Sequence, residues 1–284
     1  MAPSLHPVCP SLDRALRIGR SLSRRPNGTR TAADRHPQAE LRKTVTRDAL
    51  VLDYQPRHCL RTGDLLAVEA ILRWPMRRLG SATGPNLPTT PDRGLARMLS
   101  ELVLHAACAE AKTWARPDIR ISVKLLGPQL SSEDLCRQVR TALAQTGLPP
   151  ESLEIAIPEQ LAFRLDDDAA TAFAGLRDIG VNLLLDEFGH AVASLVALRD
   201  LPLTALKCDR LMLRGLPTDH EALALTRAVI ETSHAIGLSV CADGVDQGRQ
   251  RATLEALGLD EGQGMIFSPP LPTAEMRLYL QRLR

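Results

Sequence analysis

The chain has 284 residues, 44% hydrophobic and only 3% aromatic, so any core rests mainly on Leu, Ala, Val and Ile. That length suits one large α/β barrel or two ordinary domains, and a net charge of +2 selects no class of partner. Six widely spaced cysteines without a C-x-x-C pair argue against a disulfide framework or a structural zinc site, and no stretch is apolar enough for a membrane span or a secretory leader, so a cytoplasmic protein with reduced thiols is expected.

Residues 1–45 differ from the rest. They carry Pro3, Pro7, Pro10, Pro26 and Pro37, and up to Lys43 nine Lys/Arg stand against Asp13, Asp34 and Glu40. A solvated, disordered basic tail is the expectation. Leu12, Leu16, Ile18 and Leu22 fall roughly on one side of a basic helical turn, and a weak contact with an anionic surface is the alternative.

From 46 to 284 the pattern alternates and reads as one domain. Strands are predicted at 49–54, 65–71, 119–125, 153–157, 181–186, 205–208, 239–242 and 264–267. Helices are predicted at 93–114, 132–146, 166–179, 194–199, 221–236 and 247–257, with Ser132 ahead of Glu133 and Asp134 as a start and Gly147 and Gly180 as stops. Strands recurring at intervals of about thirty residues indicate βα units and a mainly parallel sheet. Eight of them suggest closure into a barrel. The first two, joined through Thr62-Gly63, read as a hairpin, which makes one strand antiparallel. The segment 75–92, rich in Pro, Gly, Ser and Thr, is predicted to be a loop overhanging the barrel mouth.

Several apolar runs stop at a charge. Closing a barrel brings the carboxyl ends of its parallel strands to one mouth, so Glu69, Asp186, Glu187, Lys207 and Asp243 should converge. Two comparable runs break the pattern, with Lys124 in one and Ala156 in the other where a carboxylate would be expected. On the residues alone, Glu69, Asp186 and Lys207 could equally form a structural ion-pair network. Histidines 58, 105, 190, 220 and 234 have no metal-ligand spacing.

Tyr54-Gln55-Pro56, Glu69-Ala70-Ile71 with Arg73 and Trp74, LLLDEFG at 183–189, ALKCDR at 205–210, ADGVD at 242–246 and EGQGMIFSPP at 261–270 stand in register over more than 200 residues. In that order and spacing they resemble the EAL domains. The resemblance implies a modified TIM-type (β/α)8 barrel and a cyclic di-GMP phosphodiesterase in which two divalent cations, Mg²⁺ or Mn²⁺, activate a water. It implies Glu69, Asp186, Glu187 and Asp243 as metal-binding carboxylates that act with Lys207 in catalysis. It also implies ligand contacts from Gln55, Arg73 and Gln263, and the Lys124 ammonium is expected to add one to a phosphate.

Departures from the family pattern shape the functional expectation. Glu187 replaces an aspartate and Asp243 a glutamate, each moving a carboxylate by about a methylene in a site needing sub-ångström placement. Lys124 stands where the family has a metal-ligating asparagine, and Ala156 where it has a metal-ligating glutamate; Glu159, later in that motif, is retained. A protonated ammonium cannot coordinate a cation and repels it at short range. The segment GHAVASL at 189–195 departs from the family's GTGYSSL, a loop tied to metal placement and dimer coupling. A degenerate EAL domain is therefore expected, one that no longer hydrolyses cyclic di-GMP and serves as a nucleotide receptor or protein-interaction regulator. No cofactor is expected on that reading. Its alternative is a weak phosphodiesterase using Mg²⁺ or Mn²⁺. Cyclic di-GMP and a regulatory protein are the partners the resemblance suggests; a homodimer is left open and nucleic acid is not expected.

Overall fold

The computed structural model of the protein describes residues 51–73, 93–125, 132–163, 167–189 and 198–283, all within the unit Val45–Arg284. The basic tail, the segment 75–92, Trp74, His190 and most of both GHAVASL and the predicted helix at 194–199 lie outside the described residues.

The first two strands, β1 (Val51–Cys59) and β2 (Leu65–Arg73), form a hairpin. Gly63, at φ +80°, turns the chain there, and Cys59 N donates to Asp64 O at 2.8 Å. So short a link cannot carry a parallel crossover, which takes a dozen or more residues. The βα units that follow have room for it. They run through α1 (Arg93–Thr113), β3 (Arg120–Lys124), α2 (Ser132–Thr146), β4 (Leu153–Pro158), α3 (Glu159–Ala162), α4 (Asp167–Ile179) and β5 (Asn182–Phe188). They continue through β6 (Ala205–Cys208), α5 (His220–Ala235), β7 (Ser239–Ala242), α6 (Gly248–Ala256) and β8 (Glu261–Gln263). Strands β2 to β8 pair in parallel, and β1 closes the ring by pairing antiparallel with both β8 and β2. A short β9 (Leu271–Pro272) adds to β1 at Asp53 and Tyr54, and α7 (Thr273–Arg282) follows. The result is a closed eight-stranded barrel with one strand reversed.

One expectation needs correction. The final barrel strand lies at 261–263, three residues earlier than predicted. The run 264–267 is a turn: Phe267 N and Ser268 N both donate to Gly264 O at 3.1 and 3.2 Å. Gly264 is required there, because a Cβ would sit 2.4 Å from Val245 O. The apolar Met265-Ile266-Phe267 run thus belongs to a loop, while Glu-Gly-Gln, which has no strand-like composition, is the strand that pairs with β1. The helix α7 was not predicted at all.

Strand alternation divides the apolar residues into two groups. One face of each strand, including Val68, Ile121, Val123, Ile155, Leu183, Leu185, Leu206 and Val240, packs outward into the main core with the helices. The other face points into the barrel and is mixed. Ala156, Leu184, Ala205 and Cys241 form a small apolar layer across its middle. Below that layer, toward the amino ends of the parallel strands, Arg57 pairs with Glu154 at 2.8 Å and with Glu261 at 2.7 Å. Arg120 also reaches Glu261 at 2.5 Å and Glu154 at 3.7 Å. These four charges cancel and tie β1, β3, β4 and β8 together across the lumen. Above the layer lies the mouth.

His58, buried at the floor end of β1, is held as the neutral imidazole. Its Nδ1–H donates to Gly63 O at 2.9 Å, and Tyr279 O–H donates to Nε2 at 2.8 Å. Burial lowers its pKa below the usual histidine value, with Arg251 adding to the effect and the Gly63 carbonyl and Asp64 opposing it. The unfolded chain therefore binds the extra proton more readily than the folded one. This contribution to stability is complete above about pH 6.5 and is lost as pH falls through the lower folded value. Unfolding free energy measured from pH 7.5 to 5 is expected to decline, and His58→Gln should flatten the decline. An identical slope in the variant would assign it to other groups.

Candidate functional site

The mouth opens into a cavity of about 560 Å³. Its lining brings together Gln55, Glu69, Lys124, Asp186, Glu187, Lys207, Asp243 and Gln263, drawn from β1, β2, β3, β5, β6, the end of β7, and β8. Of the residues singled out in the sequence, Arg73 is not in that lining. It ends β2, is 60% exposed at its side chain, and pairs with Asp53 of β1.

Strand register places the groups. Gln55 lies opposite Glu69 across the hairpin, and Glu69 lies beside Ser122 of β3. Lys207 Nζ donates to Glu69 Oε2 at 2.7 Å and sits 3.5 Å from Asp186 Oδ1. Gln263 Nε2 donates both to Glu69 Oε2 at 2.7 Å and to Gln55 Oε1 at 2.9 Å.

Asp186 and Glu187 are adjacent, and a regular strand would point them to opposite faces. The pairing of β5 with β6 slips between Leu185 and Phe188, and Glu187 takes a left-handed backbone at φ +61°. This irregularity turns both carboxylates into the cavity. Glu187 N donates to Asp186 Oδ1 at 2.9 Å, which helps hold the turn. Nearby, the buried Glu159 accepts from Gly189 N at 3.1 Å.

Lys124, the last residue of β3, occupies the space facing this pair. Its Nζ lies 2.6 Å from Glu187 Oε1 and 3.0 Å from Asp186 Oδ2. Its register partner on β4 is Ala156, whose methyl belongs to the apolar layer and supplies no oxygen. Burial would lower the Lys124 pKa, but Asp186 and Glu187 outweigh it and raise the value, so the ammonium stays charged. Burial would likewise raise the Asp186 carboxyl, yet Lys207 and Lys124 hold it at about 2. Asp243 has the opposite balance. Burial pushes it up, with Lys207 opposing and Glu69 reinforcing.

Asp209, Arg210, Asp246 and Met265 are among the lining residues that the sequence did not single out. Asp246 accepts from Met265 N at 2.9 Å and so ties the loop after β7 to the loop after β8. The signal for Asp246 was its place three residues after Asp243 in ADGVD.

A model of the EAL domain matches residues 38–270. The chain belongs to the EAL domain family. This EAL domain is 32% identical over 241 residues to the Pseudomonas aeruginosa protein MucR, a bifunctional diguanylate cyclase/cyclic di-GMP phosphodiesterase, covering 84% of the chain and 35% of MucR. It is 32% identical over 252 residues to the cyclic di-GMP phosphodiesterase NbdA of the same organism, covering 87% of the chain and 32% of NbdA. It therefore spans about a third of the length of these relatives. The solved structure of the MucR phosphodiesterase in complex with c-di-GMP superposes with a TM-score of 0.76 at 30% identity, covering 85% of this chain and 99% of that one. The EAL domain of Mycobacterium smegmatis DcpA gives 0.70 at 30% identity, covering 84% and 99%. A Klebsiella pneumoniae protein solved as a manganese and cyclic di-GMP complex shares the fold, with a TM-score of 0.68 at 20% identity over 79% of this chain and 56% of that one. Among the described residues no helix is long and apolar enough to cross a membrane.

Proposed function

We propose that this EAL domain works in cyclic di-GMP signalling as a receptor, by binding rather than by hydrolysis. The observation that carries the reading is the Lys124 ammonium seated between Asp186 and Glu187 with Ala156 beside it. The site does not fit the two divalent cations that the family's chemistry uses. Two oxygen ligands are replaced, and the Lys124 ammonium already engages the Asp186 and Glu187 carboxylates a metal would need. Among the described residues no three His, Cys, Asp or Glu side chains are grouped to hold a metal ion.

In this reading Lys124 turns from the carboxylates to a phosphate of the incoming nucleotide, supplying charge that a metal would otherwise provide. Gln55 and Gln263 contribute polar contacts from the cavity wall, and Arg73 contributes one if it leaves Asp53. Calorimetry with cyclic di-GMP in EDTA tests the reading. Binding that weakens on Lys124→Ala supports it; no binding, or an affinity indifferent to the substitution, sinks it.

A second reading keeps a weak phosphodiesterase dependent on Mg²⁺ or Mn²⁺. It is favoured by the gathering of Glu69, Asp186, Glu187, Lys207 and Asp243 around one cavity. Linear product formed with Mn²⁺ and abolished by Asp186→Asn would establish it over the first.

A further inference from the structure

The β1–β2 hairpin turns one more residue toward the mouth than the cavity holds. Side chains alternate between the two faces of a strand, so Glu69, Ile71 and Arg73 of β2 share a face, as do Asp53 and Gln55 of β1. Register matches the two sets: Gln55 stands opposite Glu69, and Asp53 opposite Ile71. Gln55, Glu69 and Ile71 all line the cavity. By the same alternation Arg73 leaves β2 on the cavity side, two residues beyond Ile71. Its own register partner is Val51, an apolar residue 48% exposed, which offers the guanidinium no hydrogen bond.

The guanidinium is drawn elsewhere. Arg73 Nε pairs with Asp53 Oδ2 on the diagonal of the hairpin, a separation that a long side chain spans. The two ends of this pair differ. The Arg73 side chain is 60% exposed and the Asp53 side chain 2%. Water can replace the contacts that Arg73 gives up when it moves, but Asp53 would be left buried without its counter-charge. Nor can Asp53 follow, because its backbone pairs with Ile71 of β2 on one side and Pro272 of β9 on the other. Lys124 is placed differently. Its carboxylate partners line the cavity themselves, whereas Asp53 does not. A ligand in the cavity therefore gains Arg73 only by pulling it off a carboxylate outside the lining.

We propose, building on the receptor reading, that Asp53 is a positioning residue that holds the Arg73 guanidinium along the rim and away from the nucleotide. The restraint lowers the affinity of the site, and whatever neutralises or displaces Asp53 raises it.

Calorimetry with cyclic di-GMP and the full chain in EDTA tests this. Asp53→Asn keeps the size of the side chain and removes its charge, and it should bind about tenfold more tightly, the worth of one added charge-assisted contact. Asp53→Glu keeps the charge and should show no such gain. Adding Arg73→Ala to Asp53→Asn should abolish the gain, whereas an effect of altered packing alone would survive it. Unchanged or weaker binding by Asp53→Asn, an equal gain with Asp53→Glu, or a gain that persists without Arg73 overturns the proposal. If Asp53→Asn fails to fold, Asp53→Ser is read by the same criteria. Binding by the unaltered chain that Asp53→Asn does not improve defeats the restraint and leaves the receptor reading standing. Absence of binding by both chains defeats the two together.

Discussion

Changing Lys124 to Asn and Ala156 to Glu together is expected to strengthen divalent-metal binding well beyond that of the unaltered chain. The first change removes the ammonium that bridges Asp186 and Glu187 at 3.0 and 2.6 Å, and it adds an amide oxygen. The second returns a carboxylate at the register partner of residue 124, where a methyl now sits. Neither is sufficient alone. With Lys124→Asn the apolar layer still supplies nothing at 156; with Ala156→Glu the new carboxylate meets Lys124 and is neutralised by it. Thermal unfolding in increasing Mn²⁺ reads the outcome independently of activity. A ligand that binds only the folded state at 100 times its Kd stabilises by about 2.7 kcal/mol. The double variant should show a shift of that order, and the unaltered chain a much smaller one. Hydrolysis of cyclic di-GMP should rise with it, roughly 100-fold, in line with the cost of disturbing metal-site partners elsewhere. If the unaltered chain is stabilised by Mn²⁺ as strongly as the double variant, Lys124 does not exclude the metal and the receptor reading loses its main support.

The largest loss of stability is expected from Arg57→Met at the opposite end of the barrel. Arg57 is 1% exposed and joins Glu154 and Glu261, which are themselves buried. Burial opposes its charge, yet the two glutamates raise its pKa well above the ordinary value. Removing it leaves both carboxylates under the apolar layer with Arg120 as their remaining cation, and its side chain is 30% exposed. Breaking a buried ion pair from one side costs about 3–5 kcal/mol, because a charge is left without compensation. Urea unfolding should show that loss. Adding Glu154→Gln and Glu261→Gln to Arg57→Met should recover much of it. A single-variant loss below about 1 kcal/mol would mean that water reaches the floor and screens it.

Much of this arrangement was legible in the sequence. Parallel strands carrying a strong apolar run, such as β3, β4, β5 and β6, fall within two residues of their predicted limits. The reversal of β1 followed from a link too short to cross over. Glu69, Asp186, Lys207 and Gln263 were placed in one cavity because motif spacing and barrel closure together permit little else. The strand β8 was misread because its three residues are individually poor strand formers and pair only through their backbone with β1. Arg73, expected as a ligand contact, pairs with Asp53, twenty residues earlier in the chain, and the motifs gave no sign of that pairing.

By itself, then, the sequence determined the family, the order of the strands, and the identity of Lys124 and Ala156 at two positions where the family resemblance implies oxygen ligands. Only the tertiary structure decided what Lys124 does. Its ammonium reaches both carboxylates because a left-handed residue at 187 turns the second of them inward, and because an alanine across the register leaves its stem unobstructed. The floor network was equally invisible beforehand. It depends on side chains from strands far apart in the chain meeting inside a closed lumen, and the period of a single strand carries no record of what stands opposite.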